Sequence, residues 1–335
     1  MKNQGISAMF GPFVHDIDPI LVEFGGFYLW WYGASYTFGF LAGFFWLRAN
    51  RTALAFDTDA VYKLIIYIAI GVIVGGRAVE VIFYEWAYYG SQLAHIPAIW
   101  LGGMSTHGIL LGSTIAVVLF CKLNHRSFLE VADVLAIAAA FIMGFGRIGN
   151  FIDGQIVGSL TDMPWGVKFP DLEGFRHPVV LYDGFKNLLL VPLLLLIRKT
   201  RPPRGVLIAH FILWYGFLRI FIDFFREYRS SLYGLPPGQE FNVLMTLIGI
   251  GLLIWCYRRK TEPGESTDLP IEMQAAEVEP TAGLWMKRAI LAVLLVLPTV
   301  IPSDWTQDVP ARYGERHPGL THSAIYPEIT ATAKD

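Results

Sequence analysis

The chain has 335 residues, of which 54% are hydrophobic and 16% are charged, and its formal net charge is −2. Soluble domains usually carry about 25% charged residues, so this composition favours an integral membrane protein. The small net charge gives no indication of nucleic-acid binding. The two cysteines, Cys121 and Cys256, lie in apolar runs without a second Cys or His at metal-ligand spacing. This argues against a disulfide framework and against a zinc site.

Seven segments are apolar and long enough to cross a membrane as helices, which takes about 20 residues each. They are residues 23–47, 61–84, 106–123, 129–151, 178–197, 205–225 and 241–257. A candidate eighth span, residues 285–302, is shorter and contains Pro298. Backbone polar groups in lipid must be satisfied within the segment, which leaves helices for such runs. We therefore predict an all-α integral membrane protein, a seven-helix transmembrane bundle with a candidate eighth C-terminal span.

Basic residues concentrate in every second connection between the predicted spans, and this distribution predicts which side of the membrane each connection faces. The clusters are Arg48, Arg51 and Lys63; Lys122 and Arg126; Arg198, Lys199, Arg201 and Arg204; and Arg258, Arg259 and Lys260. All of them face the cytoplasm if the N-terminus is outside. On this plan, residues 18–258 form the seven-span domain, 259–284 a cytoplasmic linker and 303–335 an outside tail. We expect a flexible tail, although His317 and His322 leave a metal site as an alternative.

Small residues and polar residues inside the spans carry further predictions. The pairs Gly39/Gly43 and Gly71/Gly75 predict close helix packing. Ionisable or polar side chains gather near the outer ends of the spans: Arg77 and Glu80, His107, Arg147 and Asn150, and Tyr215, Arg219, Asp223 and Arg226. Such residues are costly in lipid unless they face a cavity, a partner or a ligand. One shared polar chamber is the simplest arrangement for them.

Each of these residues also has a purely structural interpretation. Arg77 with Glu80, and Arg219 with Asp223, have the spacing of intrahelical ion pairs, and His107 could be a buried, hydrogen-bonded histidine. Arg147 is harder to explain in this way, because its nearest acid in the sequence, Asp153, is six residues away and beyond the predicted span. Converging arginines with few acids indicate an anion such as phosphate, which a guanidinium binds through two hydrogen bonds.

Several short motifs occur in an order that resembles one known family. They are Trp31-Tyr32-Gly33, Gly76-Arg77, Met104 to Gly108 around His107, Gly146-Arg147-Ile148-Gly149-Asn150-Phe151, Arg176-His177-Pro178 to Asp183, Tyr215-Gly216 to Arg219, Asp223 to Arg226, and Gly238-Gln239. Each motif is weak alone, but the ordered set over residues 18–258 is similar to the prolipoprotein diacylglyceryl transferases.

The resemblance implies a reaction and its partners. The family moves the diacylglyceryl group of phosphatidylglycerol onto the lipobox cysteine in the signal peptide of a preprolipoprotein. Glycerol phosphate leaves and a thioether forms, without a metal or cofactor. The expected partners are phosphatidylglycerol, preprolipoprotein signal peptides and membrane lipid, and the expected location is the bacterial cytoplasmic membrane.

The resemblance also assigns roles to individual residues. His107 is the candidate base for the cysteine thiol, because a thiol with a pKa near 8.5 is mostly protonated at neutral pH. Arg147 and Arg219 are expected to stabilise the leaving phosphate, with Tyr215 as a further catalytic candidate. The residues expected to bind or orient the lipid are Arg147, Asn150, Tyr32, Gly158, Gln155, Asp153 and Arg77.

Two positions depart from the family pattern. The family continues its signature as Asn-Phe-x-Asn-x-Glu, whereas this chain has Asp153 and Gln155 at the last two named positions. A Glu to Gln change keeps the shape of the side chain but removes its charge and basicity. If that glutamate were the general base, catalysis would be impaired; if it orients an arginine, Gln155 can serve in part. A paralogue with another acceptor and a non-catalytic anionic-lipid-binding protein remain as alternatives.

Overall fold

The computed structural model describes residues 13–154, 156–170, 172–227, 239–259, 282–302, 316–320 and 323–327. These residues are mostly helical, with two pairs of short strands. Contacts divide the chain into two compact units. Unit 1 comprises Met1–Pro19 and Ala132–Glu262, and unit 2 comprises Ile20–Val131 and Pro263–Asp335. Each unit thus combines segments that are distant in the sequence.

Eight long helices occur in the described residues. They are α1 Trp31–Ala49, α2 Thr58–Val79, α3 Thr106–Leu123, α4 Phe128–Ile152, α5 Val179–Lys199, α6 Val206–Asp223, α7 Gln239–Arg258 and α8 Ala282–Val296. A π-helical turn, Glu80–Tyr84, continues α2, and a 3-10 turn, Leu297–Val300, continues α8. Seven of these helices, α2 to α8, are long and apolar enough to cross a membrane. The chain is therefore an all-α integral membrane protein, and the apolar helix predicted at 285–302 is present.

The first predicted span, residues 23–47, is wrong at its beginning. Residues Ile20–Phe24 and Phe27–Trp30 form an antiparallel hairpin, β2 and β3, and helix α1 begins only at Trp31. Gly25 and Gly26 close the hairpin with φ angles of 58° and 85°, which glycine adopts without strain. α1 is not among the seven long apolar helices, since its first half is rich in Tyr, Ser, Thr and Gly.

Unit 1 contains α5, α6, α7 and most of α4, together with the parallel strand pair β1 (Phe13–Val14) and β4 (Val167–Lys168). Glycines bring α6 and α7 into backbone contact: a Cβ at Gly216 would lie 2.7 Å from the Asn242 carbonyl oxygen. The carboxylate of Asp133 accepts hydrogen bonds from Gly205 N and Ile208 N at the beginning of α6, where an anion is favourable.

Unit 2 contains the hairpin and helices α1, α2, α3 and α8. α2 and α3 cross at four glycines, where a Cβ at Gly71 would lie 2.5 Å from the carbonyl oxygen of Gly112, and Gly75 meets Gly108 in the same way. The close packing predicted for Gly71 and Gly75 is therefore confirmed. With no side chain between them, the two backbones gain dispersion contacts that lipid tails cannot supply equally well.

Replacement of Gly112 by alanine is expected to lower the stability of unit 2 by about 1–3 kcal/mol, because the new Cβ collides with the Gly71 carbonyl oxygen and forces the helices apart. Thermal unfolding in detergent measures the loss. Gly251→Ala in α7 is the matched control, since nothing lies within 4 Å of its Cβ position. Equal midpoints for the two variants would contradict the packing argument.

The described parts of the C-terminal tail are not flexible appendages, contrary to the prediction. Leu320 and Tyr326 are buried in a hydrophobic core whose other buried members include Tyr28 and Trp30 of the hairpin. His322 lies outside the described residues, and His317 packs edge-to-face against the Tyr28 ring at 5.9 Å. The prediction failed because the tail is short and polar on average, so its few apolar side chains gave no periodic signal.

The packing of the tail is expected to weaken between about pH 10 and pH 12. Burial raises the pKa of Tyr326 to about 12, against an ordinary value of 10.0. The folded state thus keeps a proton that the unfolded tail releases near pH 10, so stability is complete below that pH and falls as pH rises. The difference in tyrosinate absorbance between the wild type and Tyr326→Phe, measured as a function of pH, gives the titration of Tyr326 alone. A titration midpoint near pH 10 in the folded protein would refute the prediction.

Candidate functional site

A buried carboxylate joins three helices of unit 1. Asp183 lies in the second turn of α5, and its side chain is only 1% exposed. Its Oδ2 atom lies 2.7 Å from Nε of Arg147 on α4 and 2.6 Å from Nη1 of Arg219 on α6. Its Oδ1 atom lies 3.1 Å from Nζ of Lys186, one turn later on α5. One carboxylate therefore contacts three cations, and the helices that carry them are all long and apolar enough to cross a membrane.

A second carboxylate extends the network to α7. Asp223 Oδ1 lies 3.2 Å from Arg219 Nε, four residues earlier on α6. Asn242 of α7 donates from Nδ2 to Asp223 Oδ2 at 2.8 Å. The intrahelical pair of Arg219 and Asp223 is thus confirmed. Because Arg219 also contacts Asp183, its guanidinium bridges two carboxylates on different helices.

Asn150 and Tyr215 complete the arrangement. Asn150, one turn after Arg147 on α4, is buried and accepts from Arg147 Nη1 through Oδ1 at 3.2 Å. The Lys186 ammonium lies 4.0 Å from the centre of the Tyr215 ring and donates to Asn187 Oδ1 at 2.8 Å. A cation over a desolvated aromatic face gains about 2 kcal/mol. The charged groups are therefore held from several directions.

We call this set the Asp183 cluster: Arg147, Asn150, Asp183, Lys186, Tyr215, Arg219, Asp223 and Asn242. Its described members are three cations and two carboxylates, so this set has a formal charge of plus one. Net charge inside apolar spans is costly unless an anion compensates it. The side chains of Arg147 and Arg219 are 13% and 12% exposed, so both reach an accessible surface. Chemically, the cluster is suited to hold an anion beside two fixed guanidinium groups.

The predicted signature continues after α4. Asp153 lies just past the end of α4, as expected, and is buried, with its N–H donating to the Gly149 carbonyl at 3.0 Å. Gly158 donates to the carbonyl of His177 at 3.2 Å, and a Cβ at this position would collide with that carbonyl oxygen. Gly158 is thus required for close backbone packing. Gln155 lies outside the described residues.

The segment before α5 is fixed by polar contacts. Arg176 donates to the Gly158 carbonyl at 3.2 Å and forms an ion pair with Glu227. His177 Nδ1 lies 3.1 Å from the hydroxyl of Tyr182, and burial lowers the pKa of His177. Arg226 lies beyond the end of α6, where its backbone forms a β-bridge with Gly158.

Arg77 in unit 2 has a different environment from the other arginines. Its buried guanidinium donates to the carbonyls of Ile96 at 2.8 Å, His95 at 3.1 Å and Ala98 at 3.0 Å. It also donates to the Tyr89 hydroxyl at 2.7 Å, and burial holds the pKa of Tyr89 well above its usual range, so that hydroxyl stays neutral. These contacts give Arg77 the role of fixing the loop between α2 and α3.

Replacement of Arg77 by methionine is expected to destabilise this loop by about 3 kcal/mol or more, since several buried carbonyls lose their donor at once. Limited proteolysis between residues 85 and 105 and thermal unfolding in detergent report the change. Lys199→Met, at an exposed position near the end of α5, serves as the control. An Arg77→Met protein as protease-resistant as that control would rule out the assigned role.

His107 and Tyr32 also belong to unit 2. His107 lies in the first turn of α3, which Ser105 caps by accepting from Gly108 N at 3.4 Å. The alternative of a buried histidine is wrong, because His107 is exposed, with Nδ1 3.4 Å from the Tyr84 hydroxyl. Tyr32, in the first turn of α1, packs edge-to-face on Tyr36 at 5.0 Å and against the hairpin core.

Sequence reasoning overlooked part of the Asp183 cluster. The motifs include Asp183 without giving it a role, and they do not include Lys186 or Asn242. A signal was available, since an acid and a lysine three residues apart inside an apolar span mark a functional site by default. The expectation of converging arginines with few acids needs one correction: Arg147 and Arg219 both contact Asp183, which comes from a different helix.

Comparison with known proteins agrees with the motif order. The family model described as prolipoprotein diacylglyceryl transferase matches residues 19–255. The phosphatidylglycerol–prolipoprotein diacylglyceryl transferase of Geobacter sulfurreducens is 39% identical over 256 residues, which cover 74% of this chain and 98% of that protein. Enzymes of the same name from Photobacterium profundum and Nitrosospira multiformis are each 37% identical, covering 72% of this chain and 94% and 87% of their own lengths.

Proposed function

Since the chain belongs to the prolipoprotein diacylglyceryl transferase family, we propose that it transfers the diacylglyceryl group of phosphatidylglycerol to the cysteine thiol of prolipoproteins. The observation that carries this proposal is the Asp183 cluster, which holds one excess positive charge inside membrane helices. The phosphodiester of phosphatidylglycerol carries one negative charge and would neutralise it.

The reaction breaks one C–O bond and forms one C–S bond. The sulfur attacks the glyceryl carbon, the phosphate oxygen leaves with the bonding electron pair, and the thiol proton passes to a base. His107 is the proposed base, because an imidazole nitrogen can accept the thiol proton and this side chain is exposed to an incoming thiol. The products are the thioether-linked lipoprotein and glycerol phosphate.

Arg147 and Arg219 are proposed to stabilise the leaving phosphate. The departing oxygen gains negative charge as the C–O bond breaks, so fixed guanidinium groups bind the transition state more strongly than the substrate. Asp183 holds both arginines through the same oxygen atom, with contacts of 2.7 Å and 2.6 Å, and so prevents reorganisation during the reaction. Asn150 orients Arg147, and Tyr215 orients Lys186.

The remaining residues have subsidiary roles in the proposal. Tyr32 lines the lipid site, and Gly158 allows the close packing that supports the segment after α4. Asp153, two residues before Gln155 in the sequence, supplies the charge that the family glutamate would carry, so Gln155 needs only to orient an arginine. With His107 as the base, the charge of the family glutamate is not required for proton transfer. Arg77 acts indirectly, by fixing the loop before α3.

We also propose the location and orientation. The basic clusters between the spans face the cytoplasm, the N-terminus is outside, and the site opens toward the outer half of the bacterial cytoplasmic membrane. Phosphatidylglycerol then enters laterally from the bilayer, since its two acyl chains remain in lipid. The acceptor cysteine is that of the lipobox in a membrane-inserted signal peptide.

Mass spectrometry of a lipobox peptide tests the proposal. The peptide is incubated with phosphatidylglycerol vesicles and either the wild-type protein or Arg147→Ala. A diacylglyceryl mass gain on cysteine that disappears in the variant supports the proposal. No gain with folded wild-type protein refutes it, and a gain that appears only with Gln155→Glu identifies residue 155 as the cause of an inactive catalyst.

A further inference from the structure

The C-terminal part of the chain lies beyond the region that the family model matches. The family model ends at residue 255, and the three relatives named above cover 72–74% of this chain. The structure describes residues 282–302, 316–320 and 323–327 of this part, all within unit 2. We call these three segments the C-terminal extension.

Helix α8 of the extension is fastened to α1 and α2. Near its beginning, Lys287 forms an ion pair with Asp59 in the first turn of α2. Near its end, the Leu295 carbonyl accepts from the Thr37 hydroxyl of α1 at 2.8 Å. Contacts at both ends fix the direction of α8 along its neighbours. The extension is therefore an integral part of unit 2.

The end of the extension completes the hairpin core. Leu320 and Tyr326 are fully buried there. The backbone N–H of Tyr28 donates to the Tyr326 hydroxyl at 3.2 Å, and the rings of these two residues lie 5.8 Å apart. The Trp100 indole N–H donates to the Ile325 carbonyl at 3.0 Å, which joins the extension to the loop that Arg77 holds. Without the extension, this core would lose two buried side chains and two hydrogen-bond acceptors.

Two parts of the extension, the turn after α8 and the segment that enters the hairpin core, approach the same motif, Trp31-Tyr32-Gly33. Pro298, just after α8, approaches Gly33 so closely that any Cβ at position 33 would collide with its carbonyl oxygen. On the other side, the ring of Tyr32 packs against the hairpin core that Tyr326 completes. The extension thus contacts the backbone just after Tyr32 and supplies two of the buried residues of the core against which Tyr32 packs.

We infer that the C-terminal extension is a positioning element for Tyr32, which aligns this side chain with the lipid substrate. The inference rests on the proposed function, in which Tyr32 lines the lipid site. The extension reaches this motif at two points, through the Pro298 carbonyl at Gly33 and through the core that Tyr326 completes beside Tyr32. A side chain displaced by about 1 Å can cost a large factor in catalysis, so positioning from outside the shared domain has a measurable effect.

Steady-state kinetics of Tyr326→Ala in the full-length protein test the inference. Removal of the ring leaves a cavity in the core against which Tyr32 packs, so KM for phosphatidylglycerol is expected to rise about tenfold while kcat changes less than about threefold. The matched control is Leu284→Ala, which removes a buried side chain of α8 at the end remote from Gly33. The control is expected to lose comparable thermal stability with an unchanged KM.

A double-mutant cycle with Tyr32→Phe separates positioning from stability. If the extension acts through Tyr32, Tyr326→Ala should raise KM less in the Tyr32→Phe background than in the wild type. Additive effects, or an equal rise of KM in Leu284→Ala, would overturn the inference. If Tyr326→Ala does not fold, Tyr326→Phe takes its place, since it keeps the ring but removes the acceptor for Tyr28 N–H. A wild-type protein without transferase activity would instead refute the proposed function.

Discussion

An Arg147→Lys variant is expected to transfer the diacylglyceryl group at least about 100-fold more slowly than the wild type, with its fold retained. Arg147 contacts Asp183 through Nε and Asn150 through Nη1 at the same time. A lysine ammonium is a single point and cannot hold both partners while facing a phosphate. The charge is preserved in this variant, so the loss measures the geometry of the guanidinium.

Initial rates of peptide lipidation, followed by mass spectrometry at saturating phosphatidylglycerol, check this prediction. Arg258→Lys, at the exposed end of α7, makes the same chemical change away from the Asp183 cluster and is expected to keep the wild-type rate. Thermal unfolding of both variants verifies that they are folded. A rate for Arg147→Lys within about threefold of the wild type would exclude a bidentate role for this arginine.

Replacement of Asp183 by asparagine is expected to have the largest effect on stability, about 3–5 kcal/mol. The carboxylate is almost completely buried and contacts Arg147, Arg219 and Lys186. Among the described members of the cluster, the variant leaves three cations with one carboxylate, Asp223, so the formal charge of this set rises from plus one to plus two. Removal of one partner from a buried ion network costs more than the network itself contributes, because the remaining charges stay desolvated.

Thermal unfolding in detergent compares Asp183→Asn with Asp223→Asn. Asp223 pairs with only one cation of the cluster, Arg219, so the same chemical change is expected to cost less there. Addition of Lys186→Met to Asp183→Asn removes the surplus charge and should restore part of the lost stability. If Asp183→Asn were no more harmful than Asp223→Asn, the central position of Asp183 would be disproved.

The two variants also distinguish stability from catalysis. Arg147→Lys keeps the charge balance and is expected to lose rate, whereas Asp183→Asn changes the charge balance and is expected to lose stability first. Gln155→Glu is a third informative variant, because it adds one negative charge and so changes the charge balance without changing the side-chain shape. Activity per folded molecule is therefore the quantity to compare among all three.

Several features of this protein were determined by the sequence alone. The bilayer requires long apolar helices, so hydropathy located six of the seven segments first predicted to span, and the candidate eighth as well. The pairs Gly71/Gly75 and Arg219/Asp223 were predictable, because residues four apart lie on one helix face and interact locally. Arg147 and Asn150 were predictable as candidate site residues, because an arginine in an apolar segment requires a partner or a ligand.

Only the tertiary structure decided which partners these residues have. Asp183 meets Arg147 and Arg219 across three helices, and no local periodicity encodes a contact between residues 36 positions apart. Arg77 was assigned to lipid by its motif, yet its donors go to loop carbonyls, which every sequence contains and which therefore leave no signal. Leu320 and Tyr326 are two apolar residues in a polar tail, and their burial depends on a core supplied by residues almost 300 positions earlier. Local spacing fixes what a helix face presents, whereas long-range packing selects the partner it meets.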